Sequence, residues 1–206
     1  MKHIPISDTQ YTNILTFKDA LRPTNDDYDR GAWLYVPDHY SEYRYILGTK
    51  GKHPLICVGV NPSTAIPGRL DNTLKSAERI ALFNGYDSFI MFNVYAQRAT
   101  VPDDMDRVLN PLLHAENMKA FRWVLSSYDS VPDVWAAWGA VIEKRPYLPA
   151  CVLDMVSCGQ DFGVRWFTAG QRSKAGHPHH PLYLKKDSPL DPFDDLIPYL
   201  ESLKKE

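Results

Sequence analysis

From about residue 43 onward, short apolar runs alternate with longer stretches whose apolar residues recur every three or four positions. Tyr43–Leu47 alternates and predicts a strand. Across a Gly-Thr-Lys-Gly turn follows Pro54–Val60, a continuous apolar run expected of a strand buried on both faces. Leu74, Ala77, Ile80, Ala81 and Leu82 fall on one helical stripe within residues 73–84, closed by Asn84-Gly85. A buried strand at 88–94, a helix at 111–128 and a short strand at 133–138 continue the pattern. A helix at 146–158, a strand at 163–168 and a terminal helix at 192–203, kinked or broken at Pro198, complete it.

Strands that alternate with helices are joined by right-handed crossovers into a parallel sheet covered on both faces. The expected fold is therefore α/β, a three-layer αβα sandwich with a mostly parallel central sheet. The first strand, leaving through a tight turn, is expected to run antiparallel. Residues 43–206 read as one domain. Residues 1–42, rich in Asp, Tyr, Pro and Asn and without a sustained period, read as an irregular N-terminal arm or cap with one short element near Gly31–Val36.

Composition narrows the function classes. A chain of 206 residues, 44% of them apolar, can bury enough surface in a single core to need neither disulfides nor a metal staple. The three cysteines, Cys57, Cys151 and Cys158, form an odd set without C-x-x-C spacing, so they read as small core residues. With 23 basic and 25 acidic side chains, the chain lacks the positive field that holds duplex DNA by bulk electrostatics. Any nucleic-acid contact must be concentrated in a few loops. No apolar run reaches the length of a membrane span and no signal-peptide core follows Met1, so a cytoplasmic protein without a membrane partner is expected.

In open parallel sheets, ligands bind at the carboxyl ends of the strands. Here those ends lead into Asn61-Pro62-Ser63-Thr64, into Asn93, Tyr95, Arg98 and Thr100, into Trp138-Gly139, and into a long loop carrying Arg172, Lys174, His177, His179 and His180. Each has a plainer explanation. Asn-Pro-Ser-Thr makes a turn and helix cap, Arg98 and Thr100 suit a solvated loop, and Trp138 suits a core. Asp71, just before the first expected helix, is either its N-cap or a general base. The histidines are poorly matched to zinc, because adjacent side chains of extended backbone point to opposite faces and no cysteine is near. One of them as a donor to an anion or carbonyl, or simple exposure, fits better. The shared location of these loops favours a binding site, although no Gly-rich phosphate motif is present.

Several of these segments resemble a known family. Val58-Gly59-Val60-Asn61-Pro62-Ser63-Thr64-Ala65, Leu70-Asp71-Asn72-Thr73, the Asn93–Thr100 segment, Ala137-Trp138-Gly139 and His180-Pro181-Leu182-Tyr183-Leu184 look like the domain of unknown function 1643 family of bacteria and phages, over about residues 43–186. Where that family has Asp-Asp-Pro-Thr, this chain has Asp71-Asn72-Thr73.

More distantly, Gly59-Val60-Asn61-Pro62 is similar to the Gly-Ile-Asn-Pro motif of mismatch-specific uracil-DNA glycosylases. His180-Pro181-Leu182 is similar to the His-Pro-Ser-Pro-Leu loop of the uracil-DNA glycosylase superfamily. That resemblance implies a glycosylase-like fold and cofactor-free cleavage of an N-glycosidic bond, in DNA or in a nucleotide with a modified or mismatched base. It implies that Asn61 positions the attacking water and that His180 stabilises charge on the departing base. Trp138 or Tyr95 would stack on the base, while Arg98, Arg172 and Lys174 would meet phosphate.

Independently of the resemblance, Asn61, Ser63, Asn93 and His180 are expected pocket donors and acceptors, with Asp71 the best general base and Thr64, Thr100 and Tyr183 beside them. The alternative expectation is a nucleotide or nucleic-acid binding module without chemistry. A third, phosphoester hydrolysis with a metal recruited by Asp71 and the histidines, would be lost on chelation.

Overall fold

The computed structural model describes residues 2–6 and 13–204; residue 1 and residues 7–12 of the expected arm, and residues 205–206, lie outside the described residues. The strands are β1 (Trp33–Val36), β2 (Ile46–Thr49), β3 (Pro54–Gly59), β4 (Ser88–Asn93), β5 (Asp133–Ala136), β6 (Arg165–Ala169) and β7 (Leu190–Pro192). They form one sheet in the order β1-β2-β4-β3-β5-β6-β7. The helices are α1 (Phe17–Ala20), α2 (Asn72–Phe83), α3 (Pro111–Ser126), α4 (Leu148–Gln160) and α5 (Leu196–Ser202).

The apolar runs become central strands because both of their faces are covered. Along β3, Leu55 and Cys57 enter one buried cluster while Ile56 and Val58 enter another, as the two-residue period of a strand requires. The stripe of α2, Leu74, Ala77, Ile80 and Ala81, packs into the first cluster. Buried residues of α3, α4 and α5, including Phe121, Val152 and Leu200, pack into the second. Asn110 starts α3 by accepting from the Leu112 and Leu113 amides, both at 3.1 Å, with Pro111 at the first helical position.

β4, β3, β5 and β6 are parallel neighbours, but β1, β2 and β7 all pair antiparallel. The expected mostly parallel sheet is therefore a mixed sheet with a parallel centre. The expected direct hairpin of the first strand with Pro54–Val60 is also corrected, since β2 pairs with β1 and β4 and never with β3. Two contacts explain it. A side chain at Gly48 would collide with the Phe89 carbonyl, so only glycine lets β2 approach β4 this closely. Asp87, just before β4, accepts from the Lys52 and His53 amides at 2.8 and 3.0 Å and carries the connection past β4.

At the C-terminus, residue 192 ends β7, which the sequence did not announce, and α5 starts only at Leu196. Pro198 sits in the first turn of α5, where its missing N–H would have had no intrahelical partner.

Within the N-terminal arm, β1 extends the sheet, and Phe17 and Ala20 of α1 join the same cluster as α3. The buried Asp38 carboxylate gathers the irregular stretch before β1, accepting from Thr24 N at 2.6 Å, Thr24 Oγ1 at 2.6 Å, Asn25 N at 2.9 Å and Arg30 Nη2 at 2.9 Å. Among the described residues no helix is long and apolar enough to cross a membrane.

Candidate functional site

The parallel strands end at one edge of the sheet, and a cavity of about 720 Å³ opens there. Gly59 and Asn93, paired at the ends of β3 and β4, both line it. A side chain at position 59 would meet Met91 Cε at 2.6 Å and Asn93 Oδ1 at 3.4 Å, so glycine keeps the space beside Asn93 open. Asn93 is fully buried, and neither its Nδ2 nor its Oδ1 has a hydrogen-bond partner among the described residues. A buried amide left unmatched costs about 1–3 kcal/mol, a cost that a ligand presenting an acceptor and a donor side by side would remove.

The β3 end continues into Asn61, whose Nδ2 donates to the Ala99 carbonyl at 2.8 Å and the Pro62 carbonyl at 3.1 Å. With the NH₂ committed to two carbonyls, Oδ1 is left as an acceptor at the cavity wall. Ser63 Oγ lies 3.4 Å from Thr100 Oγ1, which itself accepts from the His3 amide at 2.7 Å. Asp71 is the N-cap of α2, its Oδ1 accepting from the Leu74 amide at 2.9 Å. Among the described residues its second oxygen accepts no hydrogen bond.

The loop after β6 also lines the cavity, through Ser173, His177, His179 and His180. His180 caps the 3-10 turn Pro181–Tyr183, its Nδ1 accepting from the Leu182 amide at 3.4 Å, which leaves the ring proton on Nε2. Burial lowers the His180 pKa, and the nearby Asp71 carboxylate only partly opposes this, so the ring is neutral at pH 7. Behind it, the Tyr199 hydroxyl of α5 accepts from Trp138 Nε1 at 3.2 Å and meets His177 Nδ1 at 2.9 Å. His177 Nε2 lies 2.9 Å from Glu143 Oε1. Through His177 these contacts pin the loop to α5 and to Glu143.

Two guanidinium groups lie beneath the site. Arg44 Nη1 and Arg98 Nη1 both donate to the Ala65 carbonyl, at 3.2 and 3.3 Å, and Arg98 also donates to the Ser63 carbonyl and, at 3.1 Å, to the Tyr35 hydroxyl. The Arg98 guanidinium lies 4.3 Å from the Tyr40 ring centroid. Burial, with repulsion from Arg98, pushes the Arg44 pKa down to about 9, against the opposing pull of Tyr35, Asp71 and Tyr40.

Of the thirteen residues given catalytic or binding roles in the sequence, seven line this cavity, Asn61, Ser63, Asp71, Asn93, Thr100, His180 and Tyr183, and so do the loop histidines His177 and His179. The other six do not. Tyr95 and Trp138, expected to stack on a base, are fully buried, and Tyr95 donates to Asp106 Oδ2 at 2.5 Å. Arg98, expected to meet phosphate, is closed off beneath Tyr40. Arg172 pairs with Asp195 at 2.8 Å, and Thr64 and Lys174 are outside the lining. Arg44 and Met91 were not anticipated. The one signal for Arg44 was a charged residue inside the alternating Tyr43–Leu47 run, which alternation alone assigns to an exposed strand face.

No curated protein and no solved structure matches the chain. A family model described as protein of unknown function (DUF1643) matches residues 44–182, more than half of the sequence, and the chain belongs to that family.

Proposed function

We propose that the cavity binds a nucleobase and hydrolyses its N-glycosidic bond, in DNA or in a nucleotide with a modified or mismatched base. The observation that carries this reading is Asn93: a fully buried amide with donor and acceptor both unmatched suits the edge of a base that presents C=O and N–H together. Asn61 Oδ1 and the second Asp71 oxygen are acceptors for one water, with Asp71 taking its proton as it attacks the sugar carbon. The neutral His180 offers Nε2–H to the base as negative charge develops on it. These groups sit on strand ends, a helix cap and a pinned loop, so little reorganisation is needed and the chemistry calls for no cofactor. The Gly59–Pro62 and His180–Leu182 segments, and helices packed on both faces of the sheet, support a three-layer, glycosylase-like architecture within this reading.

A second reading, a nucleotide or nucleic-acid binding module without chemistry, is favoured by the structural duties of two proposed catalytic groups. Asp71 caps α2 and Asn61 ties two carbonyls. Incubation with uracil-, mismatch- and modified-base DNAs and with free nucleotides separates the two. Released base or alkali-labile abasic sites support hydrolysis. A ligand that raises the melting temperature yet is recovered intact supports the binding module. No release and no stabilisation across the panel would contradict both.

A further inference from the structure

We propose that Arg44 is an anion subsite of this cavity and takes the phosphate of a nucleoside monophosphate. The inference rests on the nucleobase reading for the identity of the ligand, while the anion subsite itself stands on the charge balance beneath the cavity. Arg44 is 1% exposed, lines the cavity, and has an Nε without a hydrogen-bond partner among the described residues. Its one hydrogen bond there goes to a neutral carbonyl, Ala65. Arg98, fully buried on the same carbonyl, likewise has neutral partners, Ser63, Ala65, Tyr35 and the Tyr40 ring.

A buried guanidinium is expected to meet a carboxylate or phosphate, and among the described residues neither arginine has an ion pair within 4.0 Å. Asp71 reaches Arg44 with its field but not with a contact, and one of its oxygens is spent on Leu74 N–H. Glu42, whose field reaches Arg98, is engaged by His3 and the Ile6 amide. An anion at Arg44 would offset the surplus, and the first-turn residues of the twelve-residue helix α2, Asn72 and Thr73, line the same cavity.

The depth of Arg44 sets the class of anion. A phosphodiester inside a duplex stays outside a site of this burial, whereas a terminal phosphate enters with its nucleoside. Asn93 on the adjoining β4 end takes the base, and a cavity of about 720 Å³ accommodates both parts.

Titration calorimetry of the full chain with inorganic phosphate, a nucleoside, its 5′-monophosphate and its 3′-monophosphate tests this. The wild type should bind phosphate weakly and one monophosphate more tightly than either the nucleoside or phosphate. Arg44→Gln should weaken the monophosphate about ten-fold or more while leaving the nucleoside nearly unchanged. Asp71→Asn keeps an N-cap residue but removes the neighbouring negative charge, so phosphate should bind it more tightly than the wild type. Equal affinity for nucleoside and monophosphates with no phosphate binding would overturn the proposal, as would Asp71→Asn binding phosphate no better. Phosphate binding with no gain from the nucleoside would uphold the anion subsite and overturn the monophosphate assignment, while the nucleobase reading stands or falls separately on base release across the DNA and nucleotide panel.

Discussion

Asn61 Nδ2 donates to the Ala99 carbonyl at 2.8 Å, tying the end of β3 to the segment that follows β4 and fixing which atom of the Asn61 amide is left for a ligand. Replacing that amide tests the tie directly. Asn61→Ala should cost about 1 kcal/mol of stability for the lost hydrogen bonds. Asn61→Asp should cost more, about 1–3 kcal/mol, because it sets a carboxylate against two carbonyl oxygens. Urea denaturation should rank the variants in that order; an Asn61→Asp protein as stable as the wild type would contradict the assigned orientation.

Asp71 separates cap from catalyst. Asn and Asp cap helices about equally well, so Asp71→Asn should retain the melting temperature within a few degrees while losing base release by a factor of about 100 or more. Asp71→Ala should lose both, with about 1 kcal/mol of stability gone. Full activity in Asp71→Asn would assign this carboxylate to the helix alone.

His180 makes stability depend on pH in a defined window. Its pKa is lowered by burial, so above the unfolded-state value of about 6.5 the ring is neutral in both states and contributes no pH dependence. As pH falls below that value, the unfolded chain takes up the proton first and stability is lost until the folded-state value is reached. His180→Gln should flatten that acid slope in chemical denaturation between pH 7 and 5. An unchanged slope would mean that the ring is not held neutral in the folded protein.

Tyr199 supports the cavity wall without touching its interior. Tyr199→Phe leaves Trp138 Nε1 and His177 Nδ1 without their partner and should cost about 1–3 kcal/mol. Because it frees the loop after β6, amide exchange should accelerate between residues 170 and 180 while the central strands stay protected. Uniform acceleration across the sheet would place the effect in the core instead.

The parallel centre of the fold was legible because β3, β4 and β5 are apolar runs punctuated by helical stripes. Its neighbours were not: β2 is adjacent to β3 in sequence, yet Gly48 and Asp87 direct it to β4, a choice made by close backbone approach and two amide contacts. Likewise β7 carries only Leu190-Asp191-Pro192 and no alternation to detect. For the site, the strand-end rule brought out Asn61, Asn93 and His180, since topology alone delivers those positions to one edge. It overreached with Tyr95, Trp138 and Arg98, because nearness to a strand end does not say whether a side chain turns toward the cavity or into the core. Arg44 escaped notice for the opposite reason: it reaches the site from outside the parallel strands.

The central claim is that the cavity releases a base, and chromatography of free base measures it most directly. The full chain, incubated with a panel of nucleoside monophosphates and of DNAs bearing uracil or modified bases, should liberate free base from at least one substrate. That release should fall about 100-fold or more in Asp71→Asn at unchanged melting temperature. Ligand recovered intact across the panel, or equal release by the wild type and Asp71→Asn, would contradict the account.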